Sequence, residues 1–147
     1  MPITFNKEQN LFSISSRHTT YVIAITDETY LCHAYYGKRI GGADFRYLLR
    51  EDEAPFVPSR NKREKNSFLD MAPMEYPETG MGDYRESAFC MRNMTGHRAS
   101  ELKYKEHRIL EGKPELEGLP ATFGTKEECT TLQIICEDML TKVEVCL

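Results

Sequence analysis

Apolar and polar residues fall in short alternating or continuous blocks along this chain. No block of ten or more residues carries the period of an amphipathic helix. Residues 3–6 (ITFN) fit a short edge strand, and Leu11–Ser15 (LFSIS) alternates at strand period. Thr19–Ile25 (TTYVIAI) is β-branched and aromatic, the pattern of a strand buried on both faces. Thr29–Tyr36 (TYLCHAYY) follows across a tight polar connection and predicts a hairpin with it. Asp44–Arg50 reads as a short strand or a helical turn, because seven residues are too few for periodicity to decide. Ser87–Met94 is a further segment. Leu102–Glu111 reads as a strand, with a helix as the alternative. Thr130–Asp138 places Leu132, Ile134 and Cys136 on one face and Gln133 and Ile135 on the other, and Lys142–Leu147 begins one more strand. About eight short β segments divided by turn signals predict an all-β, antiparallel β-sandwich. The alternation of Val143, Val145 and Leu147 meets no turn residue, so the sandwich is expected to be truncated at a strand.

Two stretches break the pattern. Glu51–Lys65 is a long polar loop with prolines at 55 and 58. Asn66–Arg85 (NSFLDMAPMEYPETGMGDYR) combines Pro73, Pro77, Gly80 and Gly82 with Asp70, Glu75, Glu78 and Asp83 and with Tyr76 and Tyr84. Proline fixes φ and glycine admits positive φ, so this is ordered turn rather than helix. Its Phe68, Met71, Met74 and Met81 supply anchors that a solvated linker would not need. It reads as a packed connection that presents acids and tyrosines at defined places.

Composition narrows the classes. Charged residues make up 29% of 147 and the net charge is −4, which suits one globular domain and argues against a general nucleic-acid binder. The basic run Arg60–Lys65 follows Glu51, Asp52 and Glu53, so its neighbourhood is mixed in sign. No signal-peptide pattern or bilayer-length apolar run occurs, and five cysteines form no Cys-x-x-Cys pair. Buried free thiols in a cytoplasmic protein are expected, with no membrane partner.

Chemistry-bearing motifs are sparse. His18, His33, His97 and His107 are scattered, without ligand spacing for a metal. His33 reads as a hydrogen-bonded, half-buried strand residue. Cys32 and His33 point to opposite faces of a strand and cannot form a dyad. No cofactor-binding loop is present. Asp70, Glu75 and Asp83 could converge as the carboxylates of a glycosidase, but acids beside Pro and Gly more often cap turns. Tyr35, Tyr36, Tyr76, Tyr84 and Phe56 could stack on a sugar, although aromatics in strands are more often core.

HAYYGKRI (33–40), DFRYLL (44–49), SFLDMAPMEYPETGMGDYRESAF (67–89), EHRILEGKPELEGLPAT (106–122) and TTLQI (130–134) resemble, in order and spacing, the N-terminal domain of the alpha-galactosidases of glycoside hydrolase family 36. The resemblance covers about residues 30–147 and is looser over the first 29. It implies that residues 1–147 are a supersandwich-like N-terminal domain, with a catalytic barrel and a C-terminal β domain lying elsewhere. The family's two catalytic aspartates belong to that barrel, so no catalytic residue is expected here.

The resemblance also implies a homo-oligomer, a tetramer in the larger bacterial members, acting on alpha-galactoside oligosaccharides of the melibiose and raffinose type. In such members an N-terminal-domain loop reaches a neighbour's active-site mouth with an acid and a base. The matching loop here is Glu51–Asn66. Its acid is Asp52 or Glu53, and its base is Lys65 or Arg63; a lysine where the family has arginine would lose the planar fork. The rival readings are a stand-alone carbohydrate-binding sandwich and a small hydrolase built on Asp70, Glu75 and Asp83.

Overall fold

The strand Thr19–Ile25 is covered on both faces, and the rest of the molecule is arranged to cover it. In the computed structural model, which describes residues 3–27, 29–41, 44–49, 72–80, 85–115, 117–118, 120 and 122–147, seven strands form two antiparallel sheets. β1 (Ile3–Asn6), β2 (Leu11–Ser15), β3 (Thr19–Ile25) and β4 (Leu31–Lys38) make a meander in sequence order. β5 (Leu102–Glu111), β6 (Thr130–Asp138) and β7 (Glu144–Cys146) make the second sheet.

Alternation sends two sets of side chains to opposite faces of the first sheet. Phe5, Phe12, Tyr21, Ile23, Ile25 and Leu31 face the second sheet and meet Leu102, Tyr104, Leu132, Ile134, Cys136 and Val145 there. Phe12 is fully buried; its ring lies 4.6 Å from Phe5 and 4.8 Å, edge-on, from His107. On the outer face, Leu11, Val22, Ala24 and Cys32 are covered by Phe45, Leu49 and Ala72 from connecting segments. β3 is therefore buried on both sides, as its unbroken apolar run predicts.

A bulge reconciles the two faces. Val22 pairs with Tyr35 and Ile23 with His33, so Ala34 is the extra residue of β4. Ala34 and Tyr35 consequently both pack on the outer cluster, and Tyr36 returns to the face of Tyr21. The Tyr35 ring folds back over Gly37, where an added Cβ would lie 2.5 Å from the hydroxyl.

Several segments resolve differently from expectation or choose between two. β4 begins at Leu31, because Thr29 takes a positive φ of 69° and the Thr26–Tyr30 turn closes ahead of it. Asp44–Arg50 gives one 3₁₀ turn, Arg46–Leu48. Leu102–Glu111 is a strand rather than a helix, paired with β6 along its length. Ser87–Met94 forms no strand. There the Asn93 side chain accepts the Thr95 and His97 N–H groups and curls the chain into a turn.

Phe12 is the residue on which both sheets close. Phe12→Ala is expected to lower unfolding stability by about 3–5 kcal/mol, read from the denaturant midpoint. A loss below about 1 kcal/mol would show that the inter-sheet contact is not what holds the sandwich.

Candidate functional site

The polar loop singled out by sequence springs from two buried stems. Leu49 on one side and Ala72 on the other are both buried in the outer cluster, against Leu11, Val22, Ala24 and Cys32. Phe45 joins them and stacks on Tyr35 at 5.8 Å. The Asp44 carboxylate accepts the Arg46 N–H at 2.9 Å, and Arg46 reaches Asp27 at 2.7 Å. Arg85 donates to the Ala72 carbonyl at 2.5 Å. Both stems are thus fixed to one sheet face. Asp52, Glu53, Arg63 and Lys65 lie outside the described residues, as do Asp70, Asp83, Tyr84 and Phe56.

The described part of the turn-rich stretch, residues 72–80, runs beside β4. The His33 N–H donates to the Pro73 carbonyl at 2.6 Å and the Glu75 N–H to the Leu31 carbonyl at 2.9 Å, with Met74 bridging Cys32. The stretch then turns toward β5. Ala88 N–H donates to Pro77, and Ser100 N–H to Thr79. Gly80, at φ 119°, passes so close to Ala99 that an added Cβ would lie 3.1 Å from its methyl. Tyr76 enters the inter-sheet core and stacks on Phe89 at 5.9 Å.

Its acids are committed to the fold. Glu75 accepts a hydrogen bond from the Tyr21 hydroxyl, tying the stretch to β3. Burial, and then that bond and the Glu75 charge, raise the Tyr21 pKa. Glu78 is buried, and its Oε2 accepts the Leu102 N–H at 2.6 Å. Its Oε1 finds no hydrogen-bond partner among the described residues. Asp138, also buried, accepts the Glu101 N–H at 2.6 Å on one oxygen. Its other oxygen accepts the Thr141 N–H at 2.7 Å and hydroxyl at 2.6 Å. Two successive N–H groups at the start of β5 are therefore held by carboxylates from two different segments.

The two carboxylates divide by environment. Burial raises Glu78 above its ordinary 4.5 to about 7; the bonds from Leu102 and Ser100 oppose this, and the charges of Asp138 and Glu101 add to it. Burial also works against the charge of Asp138, yet the bonds from Glu101, Thr141 and Leu140 outweigh it and hold that carboxyl below the usual range. Asp138 continues the core-facing row Leu132, Ile134, Cys136, so strand parity could have marked it as buried, although the sequence reading did not single it out. No pattern in the sequence singled out Glu78 among its neighbouring acids.

The remaining candidates are mostly structural. Tyr35 and Tyr76 are packed, whereas Tyr36 is 68% exposed. His33 is half-buried with its ring 5.3 Å from Tyr21, and His107 lies between Phe5 and Phe12 with Nδ1 2.7 Å from the Tyr104 hydroxyl. All five thiols are free. Cys32 and Cys136 are buried, and burial pushes them up to about 12 and about 11, which suppresses the nucleophilic thiolate. Cys90 and Cys146, against expectation, are exposed. Cys146 lies on the edge strand β7, and Cys90 follows Phe89 in an unpaired segment. Among the described residues no group of three potential ligands could hold a metal ion, and no helix is long and apolar enough to cross a membrane.

Residues 29–147 match the model of the glycosyl hydrolase family 36 N-terminal domain. The chain is 34% identical to the bifunctional alpha-galactosidase/sucrose kinase AgaSK of Mediterraneibacter gnavus, over 99% of this chain and 16% of that protein. It is 35% identical to the alpha-galactosidase AgaA of Geobacillus stearothermophilus, over 100% of this chain and 20% of that one. The galactosidase domain of AgaSK superposes with a TM-score of 0.90, at 34% identity, over 99% of this chain and 20% of that structure. AgaA variants have been crystallised with raffinose and with stachyose; each of those structures superposes at 0.85 and 33% identity, over 93% of this chain and 19% of that one. The chain therefore spans about a fifth or less of the length of these relatives.

The split between Glu78 and Asp138 has a pH signature. A raised acid stabilises the fold fully below about 4.5 and loses that contribution as pH climbs through about 7. A lowered one stabilises above its ordinary value and loses that contribution as pH falls through the lowered one. Glu78→Gln, isosteric and uncharged, is expected to flatten the fall in Tm between about pH 4.5 and about pH 7. An unchanged slope in thermal melts would reject the assignment of the proton to Glu78.

Proposed function

This chain belongs to the glycosyl hydrolase family 36 N-terminal domain family, and we propose that it is the non-catalytic β-sandwich of an alpha-galactosidase that removes terminal alpha-galactosyl residues from oligosaccharides. The observation that carries this is the whole-length correspondence with AgaSK, in backbone and in sequence. The commitments of the described acids agree with it. Glu75 is bound to Tyr21, and Glu78 and Asp138 hold backbone N–H groups in the interior. Residues 1–147 act in this reading as one positioning domain, with the chemistry supplied by the enzyme's other parts. The five unpaired thiols suit a cytoplasmic location.

The loop between the stems gives the domain its role. Asp52 or Glu53 accepts hydrogen bonds from sugar hydroxyls, and Arg63 or Lys65 donates to them, at the mouth of a neighbouring subunit's site in a homo-oligomer. An acceptor and a donor can together orient a neutral polyol without adding net charge. Raffinose-type alpha-galactosides are the expected substrates, as AgaA's raffinose and stachyose complexes suggest.

Two measurements test the reading. The 147-residue chain alone is expected to release no p-nitrophenol from p-nitrophenyl alpha-galactoside, and robust turnover would overturn the division of labour. In the full-length enzyme, the double replacements Asp52→Ala with Glu53→Ala, or Arg63→Ala with Lys65→Ala, are expected to raise KM for raffinose about tenfold. They should change kcat little. Unchanged KM in both would remove the loop from the substrate site.

A further inference from the structure

On the outer face of the first sheet, among the described residues, Phe45, Leu49 and Ala72 pack with Leu11 and the β3–β4 residues Val22, Ala24 and Cys32, while Thr4, Ser13 and Ser15 of β1 and β2 lie outside that cluster. Between the two lies a groove of about 530 Å³, within the size range of small-molecule pockets. Its apolar lining is Leu11, Val22, Ile40 and Phe45. Its polar lining is Thr4, Asn6, Gln9, Ser13, Ser15, Arg39 and Asp44, the strand residues among these falling on one face by register.

Most of that polar lining is uncommitted. Asn6 is used up by its turn, accepting the Glu8 and Gln9 N–H groups, and Ser15 shares a bond with Thr20. The Thr4 and Ser13 hydroxyls, the Gln9 side-chain N–H₂ and the Arg39 guanidinium make no hydrogen bond among the described residues. Asp44 spends one oxygen on the Arg46 N–H. Donors, acceptors and one charge of each sign thus converge over an aliphatic floor.

We propose that this groove binds a neutral oligosaccharide. A phosphate or carboxylate ligand would meet Asp44 as well as Arg39, so the opposed charges favour a ligand without net charge. A purely apolar ligand would strand the free hydroxyls and the guanidinium without water. A polyol satisfies both, its hydroxyls meeting the rim and its C–H faces the floor. Phe45 is too deeply buried to offer a stacking face, so hydrogen bonds that exchange with water carry the binding, and the affinity is of roughly millimolar order. The inference deepens the alpha-galactosidase reading by giving this domain its own contact with the sugar chain.

The test uses the full-length protein with 1-deoxygalactonojirimycin added to saturation and raffinose titrated to about 10 mM by saturation-transfer NMR. Transfer to raffinose is expected to persist with the inhibitor present. It should fall about tenfold in Arg39→Ala, an exposed residue whose guanidinium makes no hydrogen bond among the described residues, and in Ser13→Tyr, which fills the groove. Both variants should keep wild-type turnover of the aryl galactoside. Loss of all transfer once the inhibitor is bound, or equal transfer in the variants, overturns the groove. Persistent, variant-sensitive transfer in a protein that hydrolyses no alpha-galactoside supports the groove and overturns the enzyme reading instead.

Discussion

The structure depends on how the free edge of β4 is satisfied. Where β4 begins, Leu31 is buried in one core cluster and Cys32 in the other, and backbone N–H and C=O groups there cannot be left unpaired, because desolvated polar groups without partners are costly. The turn-rich stretch solves this without becoming a strand. Pro73 offers only a carbonyl, which accepts the His33 N–H, and Glu75 returns an N–H to Leu31. Those two bonds form the antiparallel Cys32–Met74 bridge, and the prolines prevent the pairing from extending.

From that edge the same stretch reaches the second sheet. Tyr76 enters the inter-sheet core, and Glu78 holds the first N–H of β5. Asp138, from the end of β6, holds the N–H just before it. The sandwich is thus laced at one end by side-chain carboxylates rather than by a sheet hydrogen-bond ladder. Burial is the main reason that the Glu78 pKa is raised, with the Asp138 charge adding to it, while Asp138, richer in donors, is held below the usual carboxyl range.

The proposed positioning role draws on this arrangement, because Leu49 and Ala72, which flank residues 50–71, both rest on the outer cluster. A loop set on a rigid scaffold can carry recognition residues while the scaffold carries none of the chemistry. The β1–β2 side of the same face is where uncommitted polar groups gather.

The sequence by itself determined the strands, their parity and the family. Alternation and β-branching placed β1, β2, β3 and β6 at their observed limits, because in a two-layer sandwich the buried face imposes period two directly on composition. The EYP and GKPELEGLP signatures carried the family, since both are specific and their joint agreement by chance is improbable. Only the tertiary structure decided the rest. Leu102–Glu111 became a strand by pairing with β6, and Asp44–Arg50 became a 3₁₀ turn by packing Phe45 and Leu49 on β3. Ser87–Met94 pairs with no strand, and at its end the Asn93 side chain accepts the Thr95 and His97 N–H groups and turns the chain. The roles of Glu75, Glu78 and Asp138 were illegible for the same reason. A carboxylate's task is set by the donors that folding brings to it, and Tyr21, Leu102 and Glu101 are 54, 24 and 37 positions away in sequence.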